Sequence, residues 1–271
     1  NKNPDFIEDR YIYRSWREHA EAQGIRLRIG RWNIESNPIV VLVDFTPYFQ
    51  IKDKIFANFW ETYQLDSISG QWDYVEPALF GYAAAKVIES FYEFNLTAHD
   101  RIIAHFHEWM TGTGVLYLRE YVPQVGCVFT THATALGRAV AGNHLPLYGE
   151  FSSYPPDAAA RRFDIVSKFS LERAAALSSD AFTTVSDITA LECSYFLSRP
   201  VDLVTPNGFD DSFTPDAAEF ENRRGMARIK LMQISRAMFN IDLPDDTLLL
   251  VNSGRYEFRN KGIDLFIDAL A

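Results

Sequence analysis

Three short stretches of this chain carry side chains able to do chemistry. The first is His105-Phe106-His107-Glu108. On a strand, His105 and His107 point to one face. With His132 near the next strand end, they would make a nitrogen-rich corner in which zinc is conceivable. The plainer reading is one packed histidine and one crevice hydrogen-bond donor, because no cysteine or spaced carboxylate completes a ligand set. Glu108 also has a plain reading: a carboxylate at a helix start is favoured by the helix dipole alone. The second stretch is Thr130-Thr131-His132-Ala133-Thr134, followed by Gly137-Arg138. It offers donors to a polyhydroxylated or anionic ligand. Equally, a threonine caps the next helix and His132 bonds a carbonyl. The third runs from Gly254 through Arg255 and Lys261 to Gly262. Arginine brings a planar fork for phosphate oxygens and lysine a point charge. The following helix start would add unpaired N–H groups. A phosphate site is the sharper reading of this loop, a solvated turn the blander one.

Elements of a particular kind must hold these groups. Residues 102–106 and 127–131 are short apolar runs that end in polar and small residues before a helical pattern, which is strand–loop–helix written twice. In a parallel α/β sheet such strand ends face a ligand crevice. Around them, helices are expected at 5–21, stopped by Gly24, and at 53–63, 77–94, 158–178 and 186–197. Strands are expected at 25–30, at 38–45 (apolar, hence buried), at 181–185 and at 202–205. Residues 143–156 read as loop, and Pro206-Asn207-Gly208 as a turn. Beyond it, residues 209–215 look irregular. Residues 219–239 make an amphipathic helix with Phe220, Ala227, Leu231, Ile234 and Met238 on its apolar stripe. Residues 248–252 form a buried strand, and 260–271 a helix. The alternation predicts an α/β protein with a mostly parallel, doubly wound, Rossmann-like sheet and a domain boundary near Gly208.

Composition narrows the partners. The 271 residues carry 26 basic and 36 acidic side chains, a net charge of −10. A general nucleic-acid or anionic-membrane surface needs a basic footprint, so neither is expected as a partner. No apolar run approaches the roughly 20 residues of a bilayer span. Cys127 and Cys193 lie in apolar contexts and read as reduced core thiols of a cytoplasmic protein. Asn95-Leu96-Thr97 matches a glycosylation sequon, taken here as chance. The start at Asn1 without Met and the helical pattern running into Ala271 suggest a piece of a longer protein.

The motifs also carry a resemblance. H-F-H-E-W (105–109), F-T-T-H-A-T-A-L-G-R (129–138), E-R-A-A-A (172–176), A-F-T-T-V-S-D-I-T-A-L-E (181–192), V-T-P-N-G (204–208) and G-R-Y-E-F-R-N-K-G-I-D-L-F (254–266) occur in this order. Together with the weaker stretch at 30–44, they resemble glycogen synthases of the eukaryotic type, glycosyltransferase family 3. The resemblance implies a GT-B fold of two Rossmann-like domains. Residues 1–208 would be the N-terminal, acceptor-side domain without its first strands. Residues 209–271 would be a linker helix and the start of the C-terminal nucleotide-sugar domain.

The implied activity is retaining transfer of glucose from a nucleotide sugar, usually UDP-glucose, to the non-reducing end of an α-1,4-glucan. No metal or other cofactor is implied, since the nucleotide sugar is a substrate. The same resemblance places Arg255 and Lys261 on the donor diphosphate and leaving group, and His132 against the donor glucose. It places Arg138 near the donor phosphates, Asn207 near the donor sugar, and Glu108 on the acceptor side, with His107 beside the substrate. Residues 1–23 and 144–153 depart from the family pattern, which suggests a bacterial source. The alternatives are a sucrose- or trehalose-forming enzyme of the same fold and a glucan- or nucleotide-binding protein without turnover. Homo-oligomerisation of a full-length protein stays open, and the 271-residue chain alone is expected to be inactive.

Overall fold

The computed structural model describes residues 5–97, 99–209, 211, 214–259 and 261–271. The chain divides into two compact units, Asn1–Pro206 and Asn207–Ala271. The first unit holds two sheets. Strands β1 (Phe6–Glu8), β2 (Arg26–Trp32) and β3 (Ile39–Asp44) form an antiparallel sheet in that order. The mostly parallel sheet expected for the chain does not extend to this region. A six-residue link between β2 and β3, with Ser36 and Asn37 at φ 67° and 42°, is too short for a parallel crossover and returns the chain as a hairpin. It also corrects the buried strand expected at 38–45, because no residue of β3 is fully buried.

Residues expected to open a helix at 5–21 instead supply β1. The helix α1 (Arg14–Ala22) starts only after Tyr13, which is held at φ 48°. Trp16 of α1 is almost fully buried. Its indole N–H donates to Ser90 Oγ at 3.3 Å, and it packs with Ile25, Leu27, Ile29 and Val87 in a small core.

Helices α2 (Lys52–Tyr63) and α3 (Trp72–Asn95) follow. The second sheet carries the chemistry: β4 (Ile103–His107), β5 (Gly126–Thr131), β6 (Ala181–Thr184) and β7 (Leu203–Val204), all parallel and in that order. Parallel neighbours need long crossovers, usually helical. Here they are α4 (Gly112–Tyr121), then α5 (Ala135–Gly142), α6 (Pro156–Arg162) and α7 (Val166–Ser178), then α8 (Asp187–Phe196). The single helix expected at 158–178 is two, because Asp164 adopts φ 55° between α6 and α7. Inward residues of the strands, Phe106, Phe129 and Phe182, join Leu116, Leu118, Leu136 and Phe196 in the main core. Cys127 and Cys193 are buried free thiols. Burial is the main cause that raises both, Cys127 to about 11.

Helices α3 and α4 approach closely at Gly81 and Gly114. A Cβ added at Gly114 would lie 2.3 Å from Phe106 Cε1 and 3.0 Å from the Gly81 carbonyl. Overpacking of this kind costs about 1–3 kcal/mol. Gly114→Ala is therefore expected to lower the melting temperature. An unchanged melting curve would show that β4 and α4 can separate freely.

The second unit contains α9 (Ala217–Phe239) and α10 (Ile263–Asp268). Two expectations fail here. Residues 248–252 form no strand, because a strand is made by its hydrogen-bonded neighbour and the described residues of this unit provide no ladder. The apolar stripe of α9 is exposed at Phe220, Leu231, Ile234 and Met238, and Met232 is its buried residue. The chain after α9 is held by arginines: Arg228 donates to the carbonyls of Asp245 and Thr247, each at 2.6 Å, and Arg236 to that of Leu243. The expected helix start at Asn260, and Asp210, Ser212 and Phe213 of the expected irregular segment, lie outside the described residues. Among the described residues no helix is long and apolar enough to cross a membrane.

Candidate active site

Because β4 and β5 are parallel neighbours with His107 opposite Thr130, their C-terminal ends lie side by side. Glu108, the residue after β4, has φ 65° and ψ 159°. A non-glycine residue there stores strain of order 1–3 kcal/mol, which the surroundings must hold in place. Three bonds do so. Glu108 N donates to Thr130 O at 2.8 Å, Thr111 Oγ1 donates to His107 O at 2.7 Å, and Thr111 N donates to Glu108 O at 3.1 Å.

The twisted backbone sends the carboxylate across to the next strand end. Glu108 Oε1 accepts from His132 N at 3.1 Å and from the Arg138 guanidinium at 3.3 Å. The carboxylate is largely shielded, with 13% of the side chain accessible, while Arg138 is half exposed. Glu108 is thus more than a dipole partner of its own helix: it fastens the β5–α5 turn to the end of β4.

The histidines line up beside this clasp. His105 and His107 share a face, as their spacing requires, with ring centroids 4.1 Å apart. His105 Nε2 meets Thr130 Oγ1 at 2.7 Å, and that hydroxyl meets Thr183 Oγ1 at 2.6 Å. His107 Nδ1 meets His132 Nε2 at 3.1 Å. A hydrogen bond between two imidazoles needs one nitrogen bare, so both rings cannot be protonated at once. Among the described residues no group of His, Cys, Asp and Glu is placed to hold a metal ion.

Partial desolvation, then the neighbouring His105 and His132, hold the His107 imidazole below its ordinary 6.5. The unfolded chain therefore binds the proton more readily than the folded one. This contribution to stability is complete above about pH 6.5 and is lost as the pH falls through the folded value. Urea midpoints of the wild type should fall more between pH 7.5 and pH 5.5 than those of His107→Gln. Parallel slopes would remove His107 as a source of acid sensitivity.

The turn between β5 and α5 is also held from behind, by two carboxyls that the sequence reading overlooked. Glu172 of α7 is fully buried. Its Oε1 accepts from Thr131 Oγ1 at 2.5 Å and its Oε2 from Ala135 N at 2.7 Å. Desolvation is the main cause that pushes it up to about 8. Glu192 of α8 is also buried, and its Oε2 accepts from Thr134 Oγ1 at 2.8 Å. Thr134 in turn caps α5 by accepting from Gly137 N at 2.9 Å, so the capping reading holds for Thr134. A Cβ at Gly137 would lie 2.2 Å from Glu192 Oε2, so any larger residue there has to displace this carboxylate. The signal available in the sequence was a glutamate on the apolar face of each helix, among Phe169, Leu171 and Ala175 in α7, and beside Cys193 and Phe196 in α8.

The fold therefore brings together His107, Glu108, His132 and Arg138. Asn207, Arg255 and Lys261 belong to the second unit and are exposed. There Arg255 pairs with Glu257 at 3.1 Å, and Lys261 N donates to Glu257 O at 2.9 Å, so both cations sit on one closed loop before Gly262 at φ 63°. The helix behind them, α10, begins at Ile263.

The glycogen synthase family model matches residues 7–271. Glycogen [starch] synthase of Caenorhabditis elegans is 36% identical over 97% of this chain and 40% of its own length. The Neurospora crassa protein of the same name is 35% identical over 92% of this chain and 35% of its own. Isoform 2 of Saccharomyces cerevisiae is 36% identical over 93% and 36%. The chain thus spans less than half the length of the relatives it matches. With the ordered motifs, the parallel sheet and a match along nearly its whole length, the chain belongs to the glycogen synthase family.

Proposed function

We propose that this protein, at full length, is a retaining glucosyltransferase. It moves glucose from a nucleotide sugar, UDP-glucose, to the non-reducing end of an α-1,4-glucan. The observation that supports this most is the clasp at the strand ends: one shielded carboxylate, Glu108, accepts from both the His132 backbone N–H and the Arg138 guanidinium. His132 lies against the donor glucose, and Arg138 faces the donor phosphates. Glu108 and His107 line the acceptor side. Asn207 contacts the donor sugar. Arg255 and Lys261 take the diphosphate, where negative charge grows as the glycosidic bond to the nucleotide breaks. Preorganised cations act most strongly where charge develops. The whole assignment is tested by supplying the full-length protein with labelled UDP-glucose or ADP-glucose and a glycogen primer. Incorporation from UDP-glucose is expected, and no incorporation from either donor overturns it.

A further inference from the structure

We infer that Glu172 is a positioning residue for His132: its buried carboxyl bridges the two ends of the turn that carries this histidine. The argument is geometric. Thr131 is the last residue of β5 and Ala135 the first of α5, and the two carboxyl oxygens of Glu172 take one each, Thr131 Oγ1 at 2.5 Å and Ala135 N at 2.7 Å. Between these anchors lie only His132, Ala133 and Thr134. Thr134 is tied separately to Glu192, and His132 N to Glu108. Three carboxyls, one after β4, one on α7 and one on α8, thus hold the five residues 131–135.

Glu172 alone of the three is fully enclosed, and the partners given above are a hydroxyl and a backbone N–H. A buried carboxyl held by neutral donors is costly as an anion. Its raised affinity for a proton agrees with this placement. An apolar residue would fill the same volume more cheaply, so packing alone does not account for a glutamate here. What an apolar residue cannot do is fix the spacing between a strand end and a helix start while accepting from both.

The kinetic part of this inference rests on the proposed glucosyl transfer; the spectroscopic part does not. Glu172→Ala and Thr131→Val are compared with wild type at a temperature where circular dichroism shows all three folded. In the full-length protein each substitution should lower kcat roughly 10- to 100-fold, the scale of a misplacement near 1 Å, with KM for UDP-glucose changed less than about threefold. Glu172→Gln, which can still accept from Ala135 N, should recover most of the loss. In the 271-residue chain, the Cε1–Hε1 NMR cross-peak of His132 should move in both damaging variants and return toward wild type in Glu172→Gln.

A folded variant with wild-type kcat and an unmoved His132 peak overturns the inference. If Glu172→Ala does not fold, Thr131→Val decides by the same readings, because it removes one of the two bonds without opening a cavity of side-chain size. If the wild type transfers no glucose, the proposed function fails, while the His132 peak still decides the role of Glu172.

Discussion

Replacing Lys261 by alanine in the full-length protein should cut kcat for glucosyl transfer by about 10²–10³ while leaving the urea midpoint unchanged. Two observations separate the effects. Lys261 is exposed, and its backbone N–H, which alanine keeps, makes the bond to Glu257 that closes the loop. Little folding energy is therefore lost; surface substitutions of this kind usually stay within about 0.5 kcal/mol. In the proposed transfer the ammonium meets the extra charge of the departing nucleotide diphosphate. Removing one preorganised donor from developing charge costs about 2.7–4 kcal/mol, which is the stated rate loss. KM for the donor should rise much less than kcat falls, because ground-state phosphate can still use Arg255. A variant that loses activity only by unfolding, or that raises KM at constant kcat, would move Lys261 out of the transition state.

Phe182→Ala should destabilise the first unit by about 3–5 kcal/mol, the range for deleting a buried aromatic ring. Phe182 sits on β6 with no accessible surface. It stacks on Phe129 at a centroid distance of 5.9 Å, and the Arg199 guanidinium lies 5.7 Å from the ring centroid. Its backbone is pinned as well: Phe182 N donates to Asp202 Oδ2 at 2.7 Å, and Phe182 O accepts from Asp202 N at 2.8 Å. A site so constrained cannot collapse around the void, so the loss belongs at the upper end of the range. Domain stability is commonly about 5–15 kcal/mol, and the change should show as a large fall in the urea midpoint. A midpoint within error of wild type would mean that the sheet is not packed as described.

The strand–loop–helix layout of residues 102–138 was legible because hydrophobic period and turn residues are local signals. Alternation put His105 and His107 on one face, and the threonines of 130–134 announced a cap, which falls to Thr134. The partner of Glu108 was not legible. Its carboxylate serves the neighbouring strand's turn, which depends on β4 lying beside β5 and on a positive φ that local sequence does not announce. Glu172 and Glu192 escaped for the same reason: their partners are 37 to 58 residues away. The N-terminal hairpin went unread because buried-strand composition does not reveal whether the neighbour runs parallel or antiparallel. The strand expected at 248–252 failed because an apolar run describes half of a pairing.

That last segment has a colloidal consequence. Leu248, Leu250 and Val251 are 79%, 52% and 70% exposed, in a run without charge and, among the described residues, without a ladder. Short apolar stretches with unpaired backbone groups are templates for intermolecular strand addition. In concentrated solution the 271-residue chain should therefore self-associate through this run. A lysine placed at Leu250 should suppress that association without touching the strand ends where His132 and Arg138 are held.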